Sequence, residues 1–77
     1  MQPQNPSQIA LVTRLITRKE HDRFTPLEQG YAVYMQGELP GSELKGLTNP
    51  YSRSSSDHLA WNEGHYRGVL EVQGFDG

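Results

Sequence analysis

Thr25-Pro26-Leu27-Glu28-Gln29-Gly30-Tyr31-Ala32-Val33-Tyr34-Met35-Gln36-Gly37, residues 25–37, opens with Thr-x-x-Glu and carries proline in the second place. A threonine hydroxyl at the N-cap accepts from the backbone of the third helical residue, whose glutamate reaches back to the cap, and proline suits the first helical position. A helix therefore starts at Pro26. It ends near Gly37 or Leu39, because Pro40-Gly41 cannot continue it. At 100° per residue Leu27, Gly30, Tyr31, Tyr34 and Gly37 share one face, and Glu28, Gln29, Ala32 and Gln36 form the other.

Downstream, residues 40–56 are rich in Gly, Pro, Ser and Asn and form a connecting loop, with Leu44, Leu47 and Tyr51 as its anchors and a turn at Asn49-Pro50. One of Ser54, Ser55 or Ser56 caps a last helix, with Asp57 in its first turn, that runs to about Val72. This helix has two apolar sides: Trp61, Gly64, His65, Gly68 and Val72 on one, and Leu59, Tyr66 and Leu70 on the other. Two apolar sides call for two neighbours. Each glycine in a helix costs about 1 kcal/mol relative to alanine, so Gly30, Gly37, Gly64 and Gly68 need a reason. Close approach of the two helix backbones supplies one, with Trp61 and Tyr34 filling the space beside the glycines.

Gly30-Tyr31, then Gly37, a loop with Pro50-Tyr51, and Trp61-x-x-Gly64 together resemble the ribosome modulation factor family. The likeness covers residues 27 to about 70. It implies an all-α, antiparallel two-helix module, with Gly30, Tyr31, Gly37, Pro50, Tyr51, Trp61, Gly64 and Gly68 as its structural motif. It also implies binding to the small ribosomal subunit, which silences ribosomes. Three features depart from the family: a longer loop before Pro50, His65 where a second tryptophan is usual, and an added segment of about 24 residues. Charge departs as well, since the ribosome-binding founder is strongly basic.

Upstream of Thr25, Ile9-Ala10-Leu11-Val12-Thr13-Arg14-Leu15-Ile16 places Ile9, Val12, Leu15 and Ile16 on one helical face, with Asn5-Pro6 as a start signal. Its β-branched residues favour strand instead; helix is the reading carried forward. The chain thus divides into a frayed tail over residues 1–8, a basic segment over 9–24 and the module over 25–77. Residues 1–24 carry four basic side chains, Arg14, Arg18, Lys19 and Arg23, against two acidic ones, a net of +2. Residues 25–77 carry three against seven, a net of −4. A phosphate backbone would be met by the first part and repelled by the second.

The chain has 77 residues, a size at which a domain buries only about 60% of the surface its unfolded chain exposes. A small core and little room for a catalytic constellation favour a binding role over an enzymatic one, with no cofactor. Without cysteine there is no disulfide framework or thiolate metal site, and no run approaches a membrane span, so the cytoplasm is the expected location. His58 and His65 lie seven apart on one face, but match no established zinc spacing. Two kinds of partner follow. In one, Arg14, Arg18, Lys19, Arg23 and Arg53 touch ribosomal RNA while Tyr51 or Tyr31 stacks on a base. In the other, a phage or plasmid regulator blocks a host protein through its acidic surface, as a nucleic-acid mimic. The face of Leu59, Tyr66 and Leu70 is left for residues 9–16 or for another molecule, a second copy and hence a homodimer included.

Overall fold

The computed structural model describes residues 14–73, which fold as three helices: α1 (Arg18–Asp22), α2 (Pro26–Gln36) and α3 (Ser56–Gln73). No strand occurs among these residues, and the fold is all-α. The tail over 1–8, the greater part of the Ile9 to Ile16 segment and the Phe75 end lie outside them.

Each helix starts where its side chains can hold the first free N–H groups. Thr25 accepts from Glu28 N at 3.3 Å, and Glu28 reaches back to Thr25 N at 3.1 Å, so the expected capping box forms with Pro26 behind it. Gly37 is the C-cap of α2. Ser55 caps α3, its hydroxyl accepting from His58 N at 3.1 Å. A second capping box was not read from the sequence. Thr17 and Glu20 close it around α1, with Glu20 N donating to Thr17 Oγ1 at 3.0 Å and Thr17 N to Glu20 Oε1 at 2.9 Å. Where the helix expected over residues 9–16 reaches the described residues it is corrected, because Arg14, Leu15 and Ile16 are not helical and α1 begins only after them; residues 9–13 lie outside the described residues.

What holds residues 14–16 in place is Gln36. Its Oε1 accepts from Ile16 N at 2.9 Å, and its Nε2 donates to the Arg14 carbonyl at 2.8 Å. Ile16 is thereby fixed in the core with Tyr31, Ala32 and Leu44, and Phe24, Met35 and Leu47 pack at its edge. The face of α2 that bears Gln29, Ala32 and Gln36 is consequently buried too. A helix of eleven residues is covered on both sides.

The loop brings this about by returning alongside α2. Two tight turns shape it: Ser42 N donates to Leu39 O at 3.1 Å with Gly41 at φ +81°, and Leu47 N to Leu44 O at 3.2 Å with Gly46 at φ +78°. Positive φ at the third turn residue is the type II requirement that glycine meets, and Pro40 suits the position before it. Leu44 is fully buried between the turns, and Tyr51 reaches back to Gln29 in the first half of α2. From there α3 departs and packs on α2: Leu27 meets Gly64, Gly30 meets Trp61 and His65, and Tyr34 meets Gly68. The Tyr31 hydroxyl donates to Glu71 Oε1 at 2.8 Å.

The crossing depends on two glycines. A Cβ on Gly30 would collide with the Trp61 carbonyl oxygen, and one on Gly64 with the Leu27 carbonyl oxygen. Gly68 differs in kind, since the atoms its Cβ would meet first belong to the Tyr34 side chain, Cδ2 at 2.9 Å and Cβ at 3.1 Å, and not to backbone. Gly37 takes no part in the contact with α3: the atoms nearest its Cβ position belong to Val33 and Leu44. Trp61, 6% exposed, packs beside the crossing and stacks on His65 at 5.2 Å between ring centroids, while Tyr34 meets His65 edge-on at 5.1 Å.

These contacts rank the substitutions. Gly30→Ala and Gly64→Ala each force backbone apart and should cost at least the roughly 1–3 kcal/mol of core overpacking. Gly68→Ala should cost less, because a ring can turn aside. At about 4–8 °C per kcal/mol for a domain this size, thermal denaturation followed by circular dichroism separates the two classes. Trp61→Ala removes a buried indole and should cost about 3–5 kcal/mol. An unchanged midpoint in that variant would show that the ring contributes nothing to the fold.

Candidate functional site

Three surfaces compete for a functional role: the basic residues around α1, the outward side of α3, and a groove where α2, α3 and the loop meet.

Around α1 the charges are largely paired among themselves. Arg14 grips Glu20 with both nitrogens, Nη1 to Oε1 at 2.9 Å and Nη2 to Oε2 at 2.6 Å. Arg18 Nε approaches Asp22 Oδ1 at 3.3 Å, and the Arg18 backbone N–H donates to Glu43 Oε1 from the loop at 2.7 Å. Within the described residues Lys19, Arg23 and Arg53 form no ion pair, and all three are exposed. The Arg14 guanidinium, with help from Thr17, holds the Glu20 carboxyl at about 2, well below its ordinary 4.5. The hydrogen bond from His21, at 2.8 Å, lowers Asp22 too. Glu20 thus serves as both helix cap and counter-ion.

Tyr51 and Tyr31 are held by bonds within the fold. The Tyr51 hydroxyl donates to Gln29 Oε1 at 2.6 Å, and Gln29 Nε2 donates on to the His21 carbonyl at 3.2 Å, so one buried amide joins the loop to α1. Asn49 accepts from Tyr51 N at 3.0 Å and donates to the His58 carbonyl at 3.1 Å, while His58 Nδ1 lies 3.0 Å from the Tyr51 carbonyl. Asn49-Pro50-Tyr51 is therefore fastened to both helices. Tyr31 is buried, and burial, together with the bond to Glu71, pushes its phenol up to about 12. Each of the three histidines has its own place: His21 buried against Asp22, His58 on Tyr51, and His65 between Trp61 and Tyr34. No group of three or more metal-ligating side chains assembles among the described residues.

Among the described residues no second neighbour packs on the outward side of α3. Leu59 is 67% and Tyr66 57% exposed, with Leu70 half-buried. The described part of the Ile9 to Ile16 segment is spent elsewhere, with Ile16 in the core and Leu15 near Gly41. Glu63 and Arg67 pair at 3.0 Å beside the two apolar side chains. Nothing in the sequence alone distinguished this side of α3 from a buried one, because both sides carry apolar residues at helical spacing.

On the far side of the crossing lies an open groove of about 480 Å³, lined by Val33, Tyr34, Gly37, Leu47, His65 and Val72, with Glu38 also on its wall. No helix among the described residues is long and apolar enough to cross a membrane. No family model, curated protein or solved structure matches the chain.

Two titrations bracket the pH range of the fold. Glu20 sits below its ordinary value when folded, so its contribution is present above about 4.5 and is lost as pH falls toward 2. Tyr31 sits above its ordinary 10.0, so its contribution is present below 10 and is lost as pH rises toward 12. The thermal midpoint should therefore fall at both ends, and Tyr31→Phe should flatten the alkaline fall. Tyrosinate absorbance checks the assignment: one of the four tyrosines should ionise late, and only when Tyr31 is present.

Proposed function

We propose that the protein is a small non-enzymatic regulatory binding protein of the ribosome-modulation type, acting in the cytoplasm on the small ribosomal subunit and its RNA. The observation that carries this reading is the use to which the shared signature is put. Gly30 and Gly64 let the helices touch, Trp61 packs beside them, and Pro50-Tyr51 belongs to the clamp on α2 and α3. In a module so held, Glu20 and Glu28 are spent on caps and Arg14, Arg18 and Asp22 on ion pairs. Lys19, Arg23 and Arg53 supply exposed cations for phosphate, and Arg14 and Arg18 join them only by giving up Glu20 and Asp22.

Contact through Lys19, Arg23 and Arg53 gives a shallow electrostatic dependence. Each neutralised phosphate contributes about −0.9 to the slope of log affinity against log salt on duplex, and about −0.7 on single strands. Co-sedimentation with purified small subunits should accordingly weaken with salt at a slope between about −2 and −3. Lys19→Glu combined with Arg23→Glu should remove the protein from the ribosomal pellet while leaving its thermal midpoint in place. Failure of the unaltered protein to pellet at low salt would sink the ribosomal reading.

A second reading is favoured by the exposed side of α3. Leu59 and Tyr66 are more exposed than a helix apolar on two sides leads one to expect. In this reading they contact a host protein, and the acidic charge of residues 25–77 imitates nucleic acid. Leu59→Ser combined with Tyr66→Ser would then abolish regulation without touching ribosome pelleting.

A further inference from the structure

The outward side of α3 carries a pattern that reads the same from either end. Leu59, Glu63, Tyr66 and Leu70 succeed one another at steps of four, three and four residues, the alternation that keeps one seam of a helix facing a second helix. Reversed, that series is unchanged. A copy turned about a two-fold axis between Gly64 and His65 therefore offers Leu70 to Leu59 at each end of the seam and Glu63 to Tyr66 twice at its middle. Leu59 and Tyr66 are mostly exposed and Leu70 is half-buried, so the seam is open among the described residues.

We propose that α3 pairs through this seam with α3 of a second copy, antiparallel, in a two-fold homodimer. Charge favours that occupant. Glu63 is the one charged residue in the seam, and Arg67 beside it holds its carboxylate at 3.0 Å, so the acid enters the contact already neutralised. Across the axis the Tyr66 hydroxyl faces the Glu63 carboxylate of the second copy and is placed to donate to it. A parallel pair would instead set Glu63 on Glu63, like charge on like. α2 packs on the glycine side of the same helix, and α1 makes no contact with α3. Four seam side chains a copy are far fewer than the roughly 20–30 residues of a standard interface, so the dimer is weak and forms at high concentration. The pairing does not rest on the ribosomal reading, and it takes the side of α3 that the host-protein reading would use.

Sedimentation equilibrium of the full chain tests it. Between about 10 µM and about 1 mM, the range suited to a weak complex, the average mass is expected to rise from one chain toward two. Leu59→Glu sets a carboxylate against Leu70 and should hold the mass at one chain throughout, with its helical circular dichroism unchanged. An unaltered chain that stays single at about 1 mM, or a variant that still doubles, overturns the proposal. Orientation has its own readout, because the chain lacks cysteine and introduced thiols report geometry alone. Leu59→Cys mixed with Leu70→Cys should oxidise in air to the mixed disulfide-linked dimer. Leu59→Cys alone should not link, because its two thiols stand about 16 Å apart along the seam, beyond the reach of a disulfide. Linkage of Leu59→Cys to itself in preference to the mixed pair overturns the antiparallel seam.

Discussion

Everything else in this small fold is arranged around the place where two helices touch backbone to backbone. At Gly30 the Trp61 carbonyl occupies the space a side chain would take, and at Gly64 the Leu27 carbonyl does the same. Reciprocal approach of this kind trades side-chain burial for close packing of main chain, with Cα–H groups facing carbonyl oxygens. A chain of this length has few large apolar residues to bury. Bringing the helices together on glycine lets Trp61, the partly buried Tyr34 and His65 seal the contact from the sides.

Once the helices are fixed at that distance, the loop has to return along α2 before α3 can begin. Its two glycine turns, its buried Leu44 and the Tyr51 hydroxyl on Gln29 are the stations of that return. Gln29 and Gln36, one each toward the two ends of α2, convert what would be a polar helix face into the anchorage for everything packed there. The loop and the segment before α1 are thereby tied to α2 through the amides of Gln29 and Gln36.

The helices were legible because their caps are local. Thr25, Pro26 and Glu28 announce α2 within four residues, and the serines before Asp57 announce α3 in the same way. The glycine spacing also disclosed that the helices approach closely. Thr17-x-x-Glu20 used the same signal and was hidden by the apolar run before it, whose helical periodicity competed with a cap that ends the run. The buried face of α2 could not be read, because glutamine counts as polar until its amide is seen bonding to backbone twenty residues away. Among the basic residues the sequence showed a stripe, whereas space pairs Arg14 and Arg18 with acids and leaves Lys19 and Arg23 apart from them.

Gln36 has a consequence for how the chain before α1 is built. Its amide accepts from the N–H of one residue and donates to the carbonyl two residues earlier, and Leu15 lies between them. That is the pattern by which a peptide group on one β-strand pairs with its neighbour, reproduced by a side chain on a helix. Residues 14–16 thus have one rung of a ladder supplied by a helix, with no strand beside it among the described residues.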